Sequence, residues 1–325
     1  MTIPRPCGCK GCRTCLICET QFGAEKLKLQ LTLDQTKGYV YCPLCNKAWE
    51  GWDVDLYKQH PHHTGKSIDY PGVFILLDFL SENEESELMK NLDEITWDIS
   101  QSGRRKQNFG PKTNFKKRKI VPGKFDGFPA CTKFIQDRFE SIDILKGYET
   151  IEQCSLEYDP SKGASIDPHI DDCWIWGERI VTVNCLSDSV LTMTTYSGDI
   201  SKYNLQDAAE YCPVVLTDGS INTEYKSIDK SALQICEPVS KHDVIVRIPM
   251  PRRSLLVIYG EPRYHWEHCV LREDITSRRV CIAYREFTPP YMTNGCHEEI
   301  GRTVRDLGKN FWDHTNKYNQ AEVKE

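Results

Sequence analysis

Apolar and polar positions alternate along this chain in three distinct ways. The stretch LKLQLTL at residues 27–33 alternates strictly, as a half-buried ribbon strand would. The run PGVFILLDF from Pro71, apolar but for Asp78 near its end, reads as a strand. Behind it, Ser81 and Glu84 form a capping-box signature, and Leu88, Met89, Leu92 and Ile95 follow at helical spacing. A second amphipathic helix is expected over residues 128–146, where Cys131, Phe134, Ile135, Phe139, Ile142 and Leu145 share one side. After residue 150 the texture is strand-rich, with candidates at 151–158, 180–186, 189–196, 244–249, 254–259 and 278–287 separated by turn residues. That succession predicts a β-sandwich or jelly roll covered by two helices, an α+β chain that is mainly β.

Two segments fall outside the pattern. Residues 197–243 are a long polar insertion, and a connection of that length is functional or mobile more often than not. Residues 301–325 read as a polar tail that frays beyond Asn310. The expected organisation is therefore a cysteine-rich module and linker over 1–65, a main domain over 66–300, and the tail.

Composition narrows the class. Sixteen cysteines without an apolar leader in MTIPRPCGCKGC predict a reducing, intracellular setting, in cytoplasm or nucleus, rather than a disulfide framework. No run of apolar residues is long enough to span a bilayer, so no membrane partner is expected. The formal net charge of −6 gives no overall attraction to nucleic acid, which leaves only local basic patches for such binding. The oligomeric state is not legible.

One such patch is residues 100–119. It holds Arg104, Arg105, Lys106, Lys112, Lys116, Lys117, Arg118 and Lys119, interleaved with Phe109 and Phe115, and no acidic residue. Gly103, Gly110 and Pro111 predict a loop or hairpin. Its chemistry suits a phosphate backbone with a stacked base, or an acidic protein surface, or a plain solvated loop.

The cysteines suggest metal. Two C-x2-C knuckles, Cys15/Cys18 and Cys42/Cys45, are each able to supply two thiolates from one tight turn, which predicts a structural zinc site of four sulfurs. Cys7, Cys9 and Cys12 leave the full ligand set open, including an iron–sulfur cluster or a second ion. His60, His62 and His63 read as a solvated polar linker, with auxiliary ligation as the alternative.

The candidate reaction centre is Asp167-Pro168-His169-Ile170-Asp171-Asp172. In extended backbone His169 and Asp171 point to the same side, as two ligands of one metal must; in a helix they would diverge. A third ligand has to come from elsewhere, with His242, His265, His268 and His297 as candidates. Two histidines and a carboxylate are the facial triad of non-haem iron oxygenases, and zinc hydrolases use similar sets. In the last strand, alternation puts Arg279, Cys281, Ala283 and Arg285 on one face. Inward arginines are costly unless they meet an anion, which is either a protein carboxylate or a dicarboxylate such as 2-oxoglutarate.

The order H-x-D, a later histidine in HWEHCV, then R-x5-R resembles the AlkB-type 2-oxoglutarate- and Fe(II)-dependent dioxygenases, over about Pro71 to Pro289. PGVFILLDFLSENEE, RRKQNFG, Tyr158 followed by Gly163, and SLEYDPSKGASIDPHIDDCWIWGERIVTVNCLS carry the resemblance, and CGCKGCRTCLICE points to one branch of that family. It implies a double-stranded β-helix (jelly roll) with flanking helices, and Fe(II), 2-oxoglutarate and O2 as cofactors. It implies His169, Asp171 and His268 as catalytic iron ligands. Arg279 would hold the distal carboxylate of 2-oxoglutarate, Tyr158 would bond the co-substrate, and Arg285 would sit near the co-substrate or substrate pocket. Arg104, Arg105 and Lys106 would face substrate. Leu156 and Cys281 stand where the family often has polar residues, which weakens any transfer of nucleobase-repair chemistry. The implied activity is oxidative N-demethylation of monomethyl-lysine on a protein such as actin, with N6-methyladenine in DNA (or RNA) as the alternative. A third reading, from a different class, is an inactive zinc-ribbon scaffold.

Overall fold

The structure, a computed structural model, describes residues 5–10, 13–25, 34, 37–222 and 244–313. It is a mixed α/β chain made mostly of sheet. Sheet A has seven strands in the hydrogen-bonded order Ile166–His169, Trp266–Val270, Ser189–Thr195, Ile245–Met250, Gly38–Cys42, Lys47–Glu50, Ser67–Asp69. Sheet B has seven in the order Val73–Leu76, Leu255–Ile258, Ile180–Cys185, Arg279–Arg285, Glu152–Tyr158, Arg104–Phe109, Asp98–Ile99.

Alternation decides what each face of sheet B meets. Val181, Val183, Val280, Ile282 and Tyr284 pack against helices Glu82–Glu94 and Lys133–Phe139 through Leu88, Leu92, Ile135 and Phe139. The opposite face, with Ile180, Leu256, Tyr158 and Cys281, shares a core with Val246, Ile248, Met193 and Trp266 of sheet A. Strands buried on both sides read as near-continuous apolar runs, which is why IVTVNC and LLVI lack clean alternation. The first helix starts as its sequence requires: Ser81 Oγ accepts from Glu84 N while a Glu84 carboxylate oxygen accepts from Ser81 N. Among the described residues no helix is long and apolar enough to cross a membrane.

Four expectations change. The helix over 128–146 shrinks to Lys133–Phe139. Phe128–Pro129 is a short strand, and Ile142 is extended before a 3-10 turn at Asp143–Leu145. Its apolar residues still face the core, but from three elements instead of one. The basic segment is a loop only in part: Arg104–Phe109 is a strand of sheet B, and Lys112–Asn114 with Lys119–Val121 forms the hairpin. The division near residue 65 falls inside sheet A, because Gly38–Cys42 pairs in parallel with Ile245–Met250, and Lys47–Glu50 pairs with Ser67–Asp69. Past residue 297 the chain forms helix Glu298–Leu307 before the tail. The alternating stretch 27–33 lies outside the described residues, as do residues 223–243 of the insertion.

Candidate metal centre

His169 ends one edge strand of sheet A, and its register partner on the neighbouring strand is His268. The pairing places the two rings 4.2 Å apart between centroids. Asp171 follows just beyond the strand end, with its Oδ1 3.7 Å from His169 Nε2. One donor atom from each of the three residues lies within 4.8 Å of the others, a span that one ion can close. Of the other candidate third ligands, His265 and His297 are exposed and outside this cluster, and His242 lies outside the described residues.

The surroundings set the protonation states a metal needs. His169 Nδ1 lies 2.9 Å from the Asp167 carbonyl; as the donor there, it leaves Nε2 as the free lone pair. Burial lowers the pKa of both imidazoles, that of His268 to about 3, so both are neutral at physiological pH. Burial pushes the Asp171 carboxyl up, but Arg285 and the two histidines outweigh it and hold the group well below the usual carboxylate range.

Arg285 departs from the expected co-substrate role. Its Nε and Nη2 fork onto the two Asp171 oxygens at 2.9 and 3.3 Å, and its Nη1 binds Glu152 at 2.7 Å. Both anions it meets come from the protein, and one of them is the triad's carboxylate. Sequence reasoning missed Arg263, which is buried and donates to the carbonyls of Asp171, Trp176 and Gly177 at 2.8, 2.9 and 3.1 Å. These bonds clamp the 171–177 turn. An arginine in the same segment as His268 was the available signal. The described part of the insertion also closes on this turn: Tyr203 O accepts from Cys173 N at 2.9 Å, and Asn204 Nδ2 donates to Asp172 at 2.7 Å.

Arg279 behaves differently. It is 1% exposed, its Nε donates to Asn184 Oδ1 at 2.7 Å, and its guanidinium lies over the Tyr158 ring at 4.8 Å. Its Nη1 is buried with no hydrogen-bond partner. A buried cationic donor without an anion is expensive, and a carboxylate would satisfy it in bidentate fashion. Tyr158 and Arg279 are register partners, and so are Leu156 and Cys281. The two positions where polar residues were expected are thus one apolar pair on the same inward face. Asn184, also missed, joins the set as the register partner of Cys281 on the other side.

Strand alternation turns Arg105 away from Arg104 and Lys106, and those two border different clefts. Arg104 borders the cleft that His169 and Asp171 line and leans over Tyr158 at 5.8 Å. Arg105 faces the other way, donating to Glu157 at 2.7 Å and lying over Trp97. Lys106 lines a different cleft, beside Phe109 and the hairpin. Around the triad cleft stand Phe115, Trp176 and Tyr203, with Asp167, Asp172 and Arg13.

The expected four-sulfur site is corrected. Cys15 and Cys18 gather with Cys7 and Cys9, whereas Cys42 and Cys45 gather with His60 and His63. The cause is topological: Cys42 closes a sheet A strand, and the 3-10 helix Val54–Gln59 brings the histidines back over it. The N-terminal knuckle instead packs elsewhere, where Cys9 Sγ accepts from Ser102 N at 3.2 Å and Glu19 pairs with Arg272.

No protein-family model matches the chain. It is 37% identical over 310 residues to the Homo sapiens protein named alpha-ketoglutarate-dependent dioxygenase alkB homolog 4, covering 95% of each. The Mus musculus protein of the same name is 34% identical over 315 residues, 96% of each. A Caenorhabditis elegans protein named DNA N6-methyl adenine demethylase is 30% identical over 317 residues, 93% of this chain and 94% of that one.

Proposed function

This chain belongs to the AlkB-type 2-oxoglutarate-dependent dioxygenases, and we propose that it removes the methyl group of monomethyl-lysine on a protein such as actin. Fe(II), 2-oxoglutarate and O2 are its cofactors. Together they supply the oxidising power that hydroxylates an N-methyl carbon, which leaves as formaldehyde while the co-substrate becomes succinate and CO2. His169, Asp171 and His268 would hold the iron, and the neutral imidazoles and ionised carboxylate fit that donor set. Arg285 keeps Asp171 aimed, and Arg263 keeps its backbone in place. Arg279 would take the distal carboxylate of 2-oxoglutarate, with Tyr158 beneath it and the Leu156–Cys281 pair keeping that wall free of water. We read the two packed sheets as the double-stranded β-helix of the family, with the triad at one edge.

The observation that carries the substrate choice is the cleft mouth. Phe115, Trp176 and Tyr203 line it with aromatic rings, the last two already beneath the Arg285 and Lys202 cations, and Asp172 adds a carboxylate beside His169 and Asp171. A methylammonium is a cation that such surroundings favour. Of the cations there, Lys202 is tied to Glu267 at 3.2 Å, Arg13 lies 3.9 Å from Asp167, and Arg104 leans over Tyr158. The N6-methyladenine reading rests on the named activity of the C. elegans relative and on the basic hairpin. In that segment Arg105 and Arg118 are already paired with Glu157 and Asp207, which leaves fewer charges for phosphate. The test is mass spectrometry of a monomethyl-lysine actin peptide and an N6-methyladenine oligonucleotide mixed in equal amounts with one enzyme preparation. The peptide is expected to lose its methyl group at least tenfold faster; faster loss from the oligonucleotide overturns the substrate assignment and leaves the iron site standing.

A further inference from the structure

Two clusters of soft ligands lie away from the iron site among the described residues. We propose that one of them, Cys42, Cys45, His60 and His63, is a zinc site in its own right. It would be closed and tetrahedral, with two thiolates and two imidazoles, and separate from the cluster of Cys7, Cys9, Cys15 and Cys18.

The cysteine half has the build of a metal-binding knuckle. Cys42 ends its strand, and Asn46 N donates to Cys42 O at 2.9 Å, closing the turn CPLCN. The Cys42 sulfur faces the backbone N–H groups of Leu44 and Cys45, and Trp49 Nε1 donates to Cys45 Sγ at 3.3 Å. N–H groups aimed at sulfur fix its position, as the turn of a two-cysteine knuckle does. Both cysteines are free thiols.

The histidine half supplies the independent sign of a ligand. His60 Nδ1 and His63 Nε2 are shut off from water, and neither has a hydrogen-bond partner. Two ring nitrogens withheld from solvent, beside two sulfurs, are satisfied together by one cation. His63 is held in place by stacking on Trp49, with centroids 4.7 Å apart and planes at 27°. Four donors with no open position form a structural set, and mixed thiolate and imidazole donors in a tetrahedron select zinc.

The placement shows what the ion would do. It ties the end of strand Gly38–Cys42 to the segment that crosses above it, and that strand pairs with Ile245–Met250 in the middle of sheet A. Trp52, between the two ligand pairs, lies over Arg247 at 4.3 Å, and Arg247 binds Asp274 at 2.8 Å. His169 stands on the far edge of the same sheet. The zinc therefore fixes how the N-terminal strands dock on sheet A, and it leaves the iron ligands alone.

Zinc content of the full-length chain tests this, by elemental analysis of the wild type, His60→Ala/His63→Ala and Cys15→Ser/Cys18→Ser. The histidine variant should carry one zinc per chain fewer than the wild type, melt at lower temperature, and keep its iron affinity. An unchanged zinc content in that folded variant overturns the proposal. So does zinc lost from the wild type only through the Cys15/Cys18 change. Should the histidine variant not fold, cobalt loading of Cys15→Ser/Cys18→Ser decides. A tetrahedral cobalt spectrum with the charge-transfer intensity of two thiolates supports the site, and its absence overturns it.

Discussion

At the scale of the residue, the proposed function gives the two arginines of the last strand different work, and the difference is measurable. Arg279 is a buried donor waiting for an anion. Arg279→Ala is expected to weaken 2-oxoglutarate binding by roughly 10- to 100-fold, the worth of a charge-assisted pair. Calorimetry would show this, with iron binding unchanged. Arg285 already has its anions, Asp171 and Glu152. Arg285→Ala should instead lower iron affinity by roughly 10- to 100-fold, as loss of a ligand's partner does, while 2-oxoglutarate affinity, read with iron saturating, moves little. Equal effects of the two substitutions on both ligands would refute the division. The sequence placed both arginines on one face, but it could not show that Asp171 lies opposite one of them. That depends on where a distant strand end falls.

At the scale of the element, strands were legible and partnerships were not. The six strand segments read after residue 150 each meet an observed strand, because β-branched runs bounded by turn residues have few alternative structures. Pairing between elements far apart in the chain leaves no local trace. That is why Cys15/Cys18 and Cys42/Cys45 looked like one site, and why the broken helix at 133–145 looked continuous. Helix Glu298–Leu307 did carry a signal, since Ile300, Val304 and Leu307 recur at helical spacing, but Gly301 and the charged residues around it diluted the pattern. The glycine has a reason: a Cβ there would meet Tyr291 O at 1.9 Å. Backbone cannot yield as a side-chain tip can. Gly301→Ala is therefore expected to cost about 2 kcal/mol and to lower the melting temperature, by calorimetry, at unchanged turnover per folded chain. An unaltered melting temperature would show that the helix packs elsewhere.

At the scale of the molecule, one buried acid couples the fold to pH. Burial pushes the Glu178 carboxyl up to about 7, although Val214 N and Gly260 N donate to it. The folded chain then holds a proton that the unfolded chain, with an ordinary carboxyl near 4.5, releases. The associated stability is fully present below the unfolded value and is lost as pH rises through the folded one, by an amount on the order of 3 kcal/mol. Glu178→Gln should flatten that part of the stability–pH curve in denaturant titrations; an identical slope would remove Glu178 as its source.

The central claim joins the triad, the co-substrate and an N-methyl group. Its most direct test counts formaldehyde released against succinate formed on a monomethyl-lysine actin peptide, with Fe(II), 2-oxoglutarate and O2 supplied. Equal amounts are predicted for the wild type, and neither product above background for a folded His169→Ala/Asp171→Ala chain. Turnover that survives in that variant, or succinate formed by the wild type without loss of the methyl group, would contradict the account.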